Sequence, residues 1–270
     1  MYSIFQAITR GLRSALHFPT LLPLWISTFI LGWLQSWPIW SAGEQLIQRP
    51  FLGQLASGGT DMLVDLFLKN DSLSMQAPIW LALQIPILII QHIMYAICAG
   101  GMLSVYLANG EFASKSRRFA LPFIGLDILL TILLVIIISL GAAGVVIAKS
   151  NVWIIPALVM IILLGIIGEY ARAIAVVRDR RNPFVIFGQA LSFCIHHFAG
   201  VALLAIISSI MFVLVLFGYS LIPSIAGLPW LALVLQQMVI FVIVWIKALR
   251  LAWAGQYVQA TVSSQTFSPQ

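Results

Sequence analysis

The chain has 270 residues, of which 61% are hydrophobic and only 8% charged, and its mean hydropathy is +1.06. Soluble domains carry about a quarter charged residues, so this composition excludes a water-soluble globule and makes a lipid bilayer the main solvent. The net charge of +6 does not argue for a nucleic-acid partner, because the basic residues gather at the ends of long apolar runs, as in the cytoplasmic loops of membrane proteins.

In chain order, six apolar runs are long enough to cross a hydrocarbon core of ~30 Å: residues 20–41, 77–108, 122–148, 152–177, 200–222 and 229–253. The predicted fold class is an all-α integral membrane protein with six transmembrane helices. Residues 1–260 form one transmembrane domain and residues 261–270 a cytoplasmic tail. Arg10 and Arg13 ahead of the first run imitate a signal peptide, but residues 20–40 are too long and too rich in Trp for its apolar core, so the run is expected to stay as a span.

The connections are unequal. Residues 149–151 and 223–228 leave room only for tight antiparallel turns, whereas residues 42–76 form a long extracytoplasmic loop. Within that loop Met62, Leu63, Leu66 and Phe67 recur at helical spacing, which predicts a short amphipathic surface helix with Thr60 as its N-cap. An even number of spans puts both termini on one side. That side holds Arg10, Arg13, Lys115, Arg117, Arg118, Arg172, Arg178, Arg180, Arg181, Lys247 and Arg250, against Arg49, Lys69 and Lys149 on the other. The positive-inside rule then makes both termini cytoplasmic.

A repeat underlies this order. Leu16-His17-Phe18-Pro19, Arg117-Arg118-Phe119-Ala120 and His196-His197-Phe198-Ala199 precede the odd-numbered spans; Gly101-Met102-Leu103-Ser104, Glu169-Tyr170-Ala171-Arg172 and Lys247-Ala248-Leu249-Arg250 close the even-numbered ones. The chain reads as three sequential hairpins, each preceded by an amphipathic cytoplasmic lead-in segment: residues 6–18, 110–119 and 182–198. In the last, Pro183 suits a first helical turn, and Phe184, Phe187, Leu191 and Ile195 make an apolar stripe.

The motifs also carry a resemblance. Residues 170–183, from Tyr170-Ala171-Arg172 through Asp179-Arg180-Arg181 to Asn182-Pro183, and residues 187–197, ending in His196-His197, resemble a broad group of uncharacterised bacterial six-helix multi-pass membrane proteins. Residues 11–19 and 249–257 fit the same pattern, so the likeness covers nearly the whole chain. It departs at Arg178, where the group often has Glu. The chain is more distantly similar to the membrane domain of glycerophosphodiester phosphodiesterases, but these residues carry no soluble barrel, so that activity is not transferred. The resemblance implies a bacterial inner-membrane location and no particular chemistry.

Motifs for zinc proteases, serine hydrolases and phosphate-binding loops are absent. Asp127 reads as a carboxylate just inside the start of the third span, favoured by the helix N-terminus. His92 falls near the middle of the second span with Gln84, Gln91, Tyr95 and Cys98, where Pro86 can kink the helix. With Gln236 from the last span, His92, Gln91 and Gln84 are candidate ligand-binding residues; the competing reading is interhelical hydrogen bonding. Adjacent His196 and His197 point ~100° apart and do not make a metal pair. Cys98 and Cys194 lie in apolar segments without a spaced framework. No metal or other cofactor is expected.

Glu169 and Arg172 are i,i+3 neighbours able to pair, and Glu169 to Lys247 or Arg250 is a candidate inter-hairpin ion pair. Arg117, Arg118, Arg178, Arg180 and Arg181 are placed to anchor the cytoplasmic face on lipid headgroups. The expected function is that of a non-enzymatic inner-membrane protein acting through lipids, a membrane-protein partner or a second copy of itself. The alternatives are a small-solute transporter or accessory permease subunit built around His92, and, more weakly, an intramembrane lipid-modifying enzyme.

Overall fold

A computed structural model describes residues 2–46, 71–107, 111–220 and 229–266 of the chain. Among the described residues there is no strand. The helices are α1 (Tyr2–Ala15), α2 (Phe18–Leu46), α3 (Asp71–Tyr106), α4 (Phe112–Ala148), α5 (Ile154–Val177), α6 (Pro183–His196), α7 (Phe198–Ser220) and α8 (Pro229–Thr266), with a single 3-10 turn at Asn151–Trp153. Five stretches, Ile85–Tyr106, Phe112–Ala148, Ile154–Val177, Phe198–Ser220 and Gln237–Ser263, are long and apolar enough to cross a membrane. A sixth is counted if Ile4–Ala15 and Phe18–Gly32, bent by 69°, form one span. This is the architecture of a multi-pass helical membrane protein.

The helices overrun several of the apolar runs, because a helix ends where its backbone is capped and not where its first charge appears. Residues 112–119 of the second lead-in segment are not a separate element: they merge with the third span as the 37-residue helix α4, which continues through Pro122. At 1.5 Å per residue α4 is about 55 Å long, well beyond the ~30 Å hydrocarbon core, so part of it must extend outside the core. Asp127, in consequence, sits four turns into a helix, and the N-terminal dipole expected to favour it fades within the first turn. The last helix likewise runs on to Thr266, past residue 260. The expected surface helix at residues 60–69 and the turn at 223–228 lie outside the described residues.

The chain forms two compact units. One contains Met1–Leu22, Tyr95–Met211 and Trp245–Gln270; the other contains Pro23–Met94 and Phe212–Val244. In the second unit Trp25 stacks on Phe29 with ring centroids 6.1 Å apart and meets Phe241 edge-on at 6.2 Å.

The first unit is built around close backbone approaches. At Gly100 a β-carbon would meet the Phe119 Cβ at 2.9 Å, and at Gly101 it would meet the Phe112 carbonyl oxygen at 2.6 Å, so α3 and α4 touch backbone to backbone there. Gly200 admits the Tyr257 phenol in the same way. Beyond Asp127, α4 packs along α5 through Gly141 against Ala157 and along the 3-10 turn through Gly144 against Trp153, and many of its large apolar side chains there are exposed, as a lipid-facing helix requires.

Local backbone chemistry explains the ends. Asn182 caps α6 by accepting from the backbone N–H groups of Phe184 at 3.0 Å and Val185 at 3.4 Å, and Pro183 fills the first turn, where its missing N–H costs nothing. At the end of α5 the Arg180 N–H bonds the Ala175 carbonyl at 3.0 Å while Asp179 adopts φ 50°, a Schellman-type stop with Asp in the position glycine usually takes. Lys149 ends α4 in the same left-handed conformation, at φ 48°.

Candidate functional site

The most polar place among the described residues is a charge cluster inside the first unit, drawn from four helices. Arg172 of α5 is ion-paired with Asp127 of α4, and their side chains are only 9% and 11% exposed. The same guanidinium donates to the Gly168 carbonyl at 3.4 Å and lies 5.0 Å from the ring centre of Tyr95 on α3. One turn's reach away, Glu169 of α5 receives Arg250 of α8 in a two-pronged pair, Nη2 to Oε1 at 2.8 Å and Nε to Oε2 at 3.2 Å.

Two carboxylates thus meet two guanidiniums. In a low-dielectric interior an unpaired charge is strongly disfavoured, so opposite charges on different helices are drawn together. The fork geometry of arginine suits this better than lysine; the exposed Lys247 makes no ion pair among the described residues. A narrow pocket borders the second pair, lined by Glu169, Tyr170, Ser208, Arg250 and Trp253 with apolar Ile166 and Leu204, and it has room for about one water molecule.

Beside the cluster, Tyr170, Phe193, His197 and Tyr257 form an aromatic group. Phe193 and His197 ring centres are 4.6 Å apart, and Tyr257 stands edge-on to Tyr170 at 6.5 Å. His197 is therefore packing material. His196 turns its Nδ1 to the Ser192 carbonyl, 2.7 Å away on its own helix.

The residues singled out for ligand binding are less assembled. His92 is exposed, and its Nδ1 lies 2.8 Å from the Leu88 carbonyl of the preceding turn, a contact it can make only as a donor. Gln91 is half-buried. The side chains of Gln84 and Gln236 lie outside the described residues. Of the headgroup arginines, Arg117, Arg178, Arg180 and Arg181 are exposed, while Arg118 pairs with Asp179 across the α4 and α5 ends.

Sequence reasoning placed Glu169 beside Lys247 or Arg250, and the structure selects Arg250. It missed the pairing of Asp127 with Arg172 and the seat of Arg172 over Tyr95, and had joined Arg172 to Glu169 instead. One signal was available: Asp127 is the lone charge in a long apolar run, and such a residue needs an opposite charge from another span. Comparison of the chain with protein families, with curated proteins and with solved structures found no match.

Proposed function

We propose that this is a non-enzymatic bacterial inner-membrane protein, built as three hairpins with both termini cytoplasmic, that works through lipid and protein contacts at its cytoplasmic face. The observation that carries this reading is the partition of charge. Asp127, Glu169, Arg172 and Arg250 neutralise one another inside the bundle, whereas Arg117, Arg180 and Arg181 stay exposed next to one another's helix ends. The internal set is spent on holding helices together, and the outer set is free to attract anionic headgroups, each at about 1 kcal/mol.

The transporter reading draws its support from His92, an ionisable side chain within a span, grouped in the sequence with Gln84, Gln91 and Gln236. Its ring is occupied by its own helix backbone, which is how a polar residue is accommodated without a solute. A lipid-modifying enzyme needs a carboxylate poised against a general base or acid such as histidine; Asp127 and Glu169 meet arginines instead.

Native mass spectrometry of the detergent-purified protein separates these readings. Wild type is expected to retain anionic phospholipid that is lost when Arg178, Arg180 and Arg181 are all changed to Gln and kept in His92→Ala. A bound small solute lost only in His92→Ala would replace this reading with the transporter.

A further inference from the structure

Helix α1 has three faces, not two. At about 100° per residue, Phe5 and Leu12 fall within about 20° of one another and are 68% and 41% exposed, and Leu16, just past the helix end, is 64% exposed. Arg10 and Arg13, both exposed, lie roughly 110° round the helix from that stripe. Ala7, Gly11 and Ala15 occupy the remaining side and are buried.

The buried side is a docking seam. Gly11 rests on the Trp253 indole, whose Nε1 donates to the Ile8 carbonyl at 3.2 Å, and Ser14 Oγ donates to the Tyr106 carbonyl at 3.3 Å. Trp253 and Tyr106 belong to α8 and α3, both apolar spans. The 69° bend before Phe18 turns α1 away from the direction of α2, so a helix continuing into the membrane leaves α1 lying close to its plane. Held there by its small residues, α1 directs its apolar stripe to acyl chains and its arginines to headgroup level.

Helix α6 supplies an internal comparison. Ile186, Ala190 and Cys194 are its buried side, and Phe184, Leu191 and Ile195 are exposed at the same relative positions as Phe5, Leu12 and Leu16. Where α1 carries Arg10 and Arg13, however, α6 has Gln189 and Ser192. Both helices are shaped for apolar insertion, and only α1 adds charge. No acidic residue precedes Glu44, and Arg10 and Arg13 form no ion pair among the described residues.

We infer that α1 is an in-plane binding site for anionic phospholipid, with Arg10 and Arg13 on the headgroup phosphates and Phe5, Leu12 and Leu16 in the acyl region. It rests on the reading of the protein as a lipid-contacting membrane protein, and assigns charge selectivity to a helix distinct from the turn at residues 178–181. Arginine at this depth keeps its aliphatic stem on the apolar boundary and its guanidinium in the headgroups.

The test uses the full chain in nanodiscs of equal phosphatidylglycerol and phosphatidylcholine, with retained lipid counted after release in the mass spectrometer. Arg10→Gln with Arg13→Gln is expected to lower the retained glycerol lipid relative to choline lipid by about fivefold per arginine, and Arg10→Lys with Arg13→Lys to keep most of it. Selectivity unchanged in the Gln variant overturns the inference. If it is unchanged there but lost in the Arg178, Arg180 and Arg181 variant, the broader reading survives without this site; if neither variant loses it, both fail. A spin label at Leu12→Cys gives an independent readout. Relaxation by oxygen dissolved in lipid places the stripe in the acyl region, whereas relaxation by a water-soluble nickel chelate overturns it even where the Gln variant is poorly folded.

Discussion

Arg172 carries more of the molecule's polar logic than any other side chain. It holds Asp127, caps the Gly168 carbonyl and sits over Tyr95, so its removal takes the paired guanidinium from a buried carboxylate. Arg172→Met is expected to destabilise the protein by on the order of 3–5 kcal/mol, read from unfolding in detergent with increasing dodecyl sulfate. Adding Asp127→Leu should recover much of that loss, because the pair's burial is costly in the first place; a double variant no more stable than the single one would show that the pair is not the unit. Glu169→Gln should be milder, since Arg250 is 33% exposed and keeps access to other partners. At this scale the sequence reveals which residues are unusual but not which partner each finds. Asp127 stood out as one charge among aliphatics, yet its partner lies 45 residues away, and that choice depends on the rotation of α4 against α5.

Helices are legible where apolar runs are long, and their ends are legible only where a cap is. Asn182 and Pro183 mark the start of α6 openly. The merger of residues 112–119 into α4 is hidden, because nothing in that segment forbids helix and a proline within a membrane helix is tolerated when neighbours pack around it. Glycines show the same split. Gly101→Val, which forces a β-carbon onto the Phe112 carbonyl, is expected to cost about 1–3 kcal/mol or more. Gly165→Ala meets nothing within 4 Å and should be neutral or stabilising by up to about 1 kcal/mol. Parallel dodecyl sulfate titrations of the two variants test this contrast; equal losses would mean that helix propensity, not the α3–α4 contact, decides. The sequence alone offers no means of ranking these two glycines, since their difference lies in what stands opposite.

For the molecule as a whole, the multi-pass helical class follows from composition, whereas the division into two units depends on packing between residues far apart in the chain. Orientation is open to a direct check. Cys98 and Cys194 are 3% and 9% exposed, and burial pushes the Cys194 thiol up to about 12, so its reactive thiolate is scarce at all pH values well below that. Raising the pH from about 7 to 9 multiplies the thiolate of an ordinary cysteine, with its pKa near 8.5, but should leave Cys194 silent to maleimide. Against that quiet background Ser114→Cys should label from the cytoplasmic side and Ser150→Cys from the opposite one; Ser114→Cys labelling only from outside the cell would reverse the topology. The two internal ion pairs also bear on how the chain enters the bilayer during synthesis. Asp127 and Arg172 sit on consecutive helices separated by one tight turn, so α4 and α5 can enter the bilayer as a neutral pair. Glu169 must wait for Arg250 on the last helix. The first pair can therefore form once α5 is made, whereas the second closes only on a completed chain.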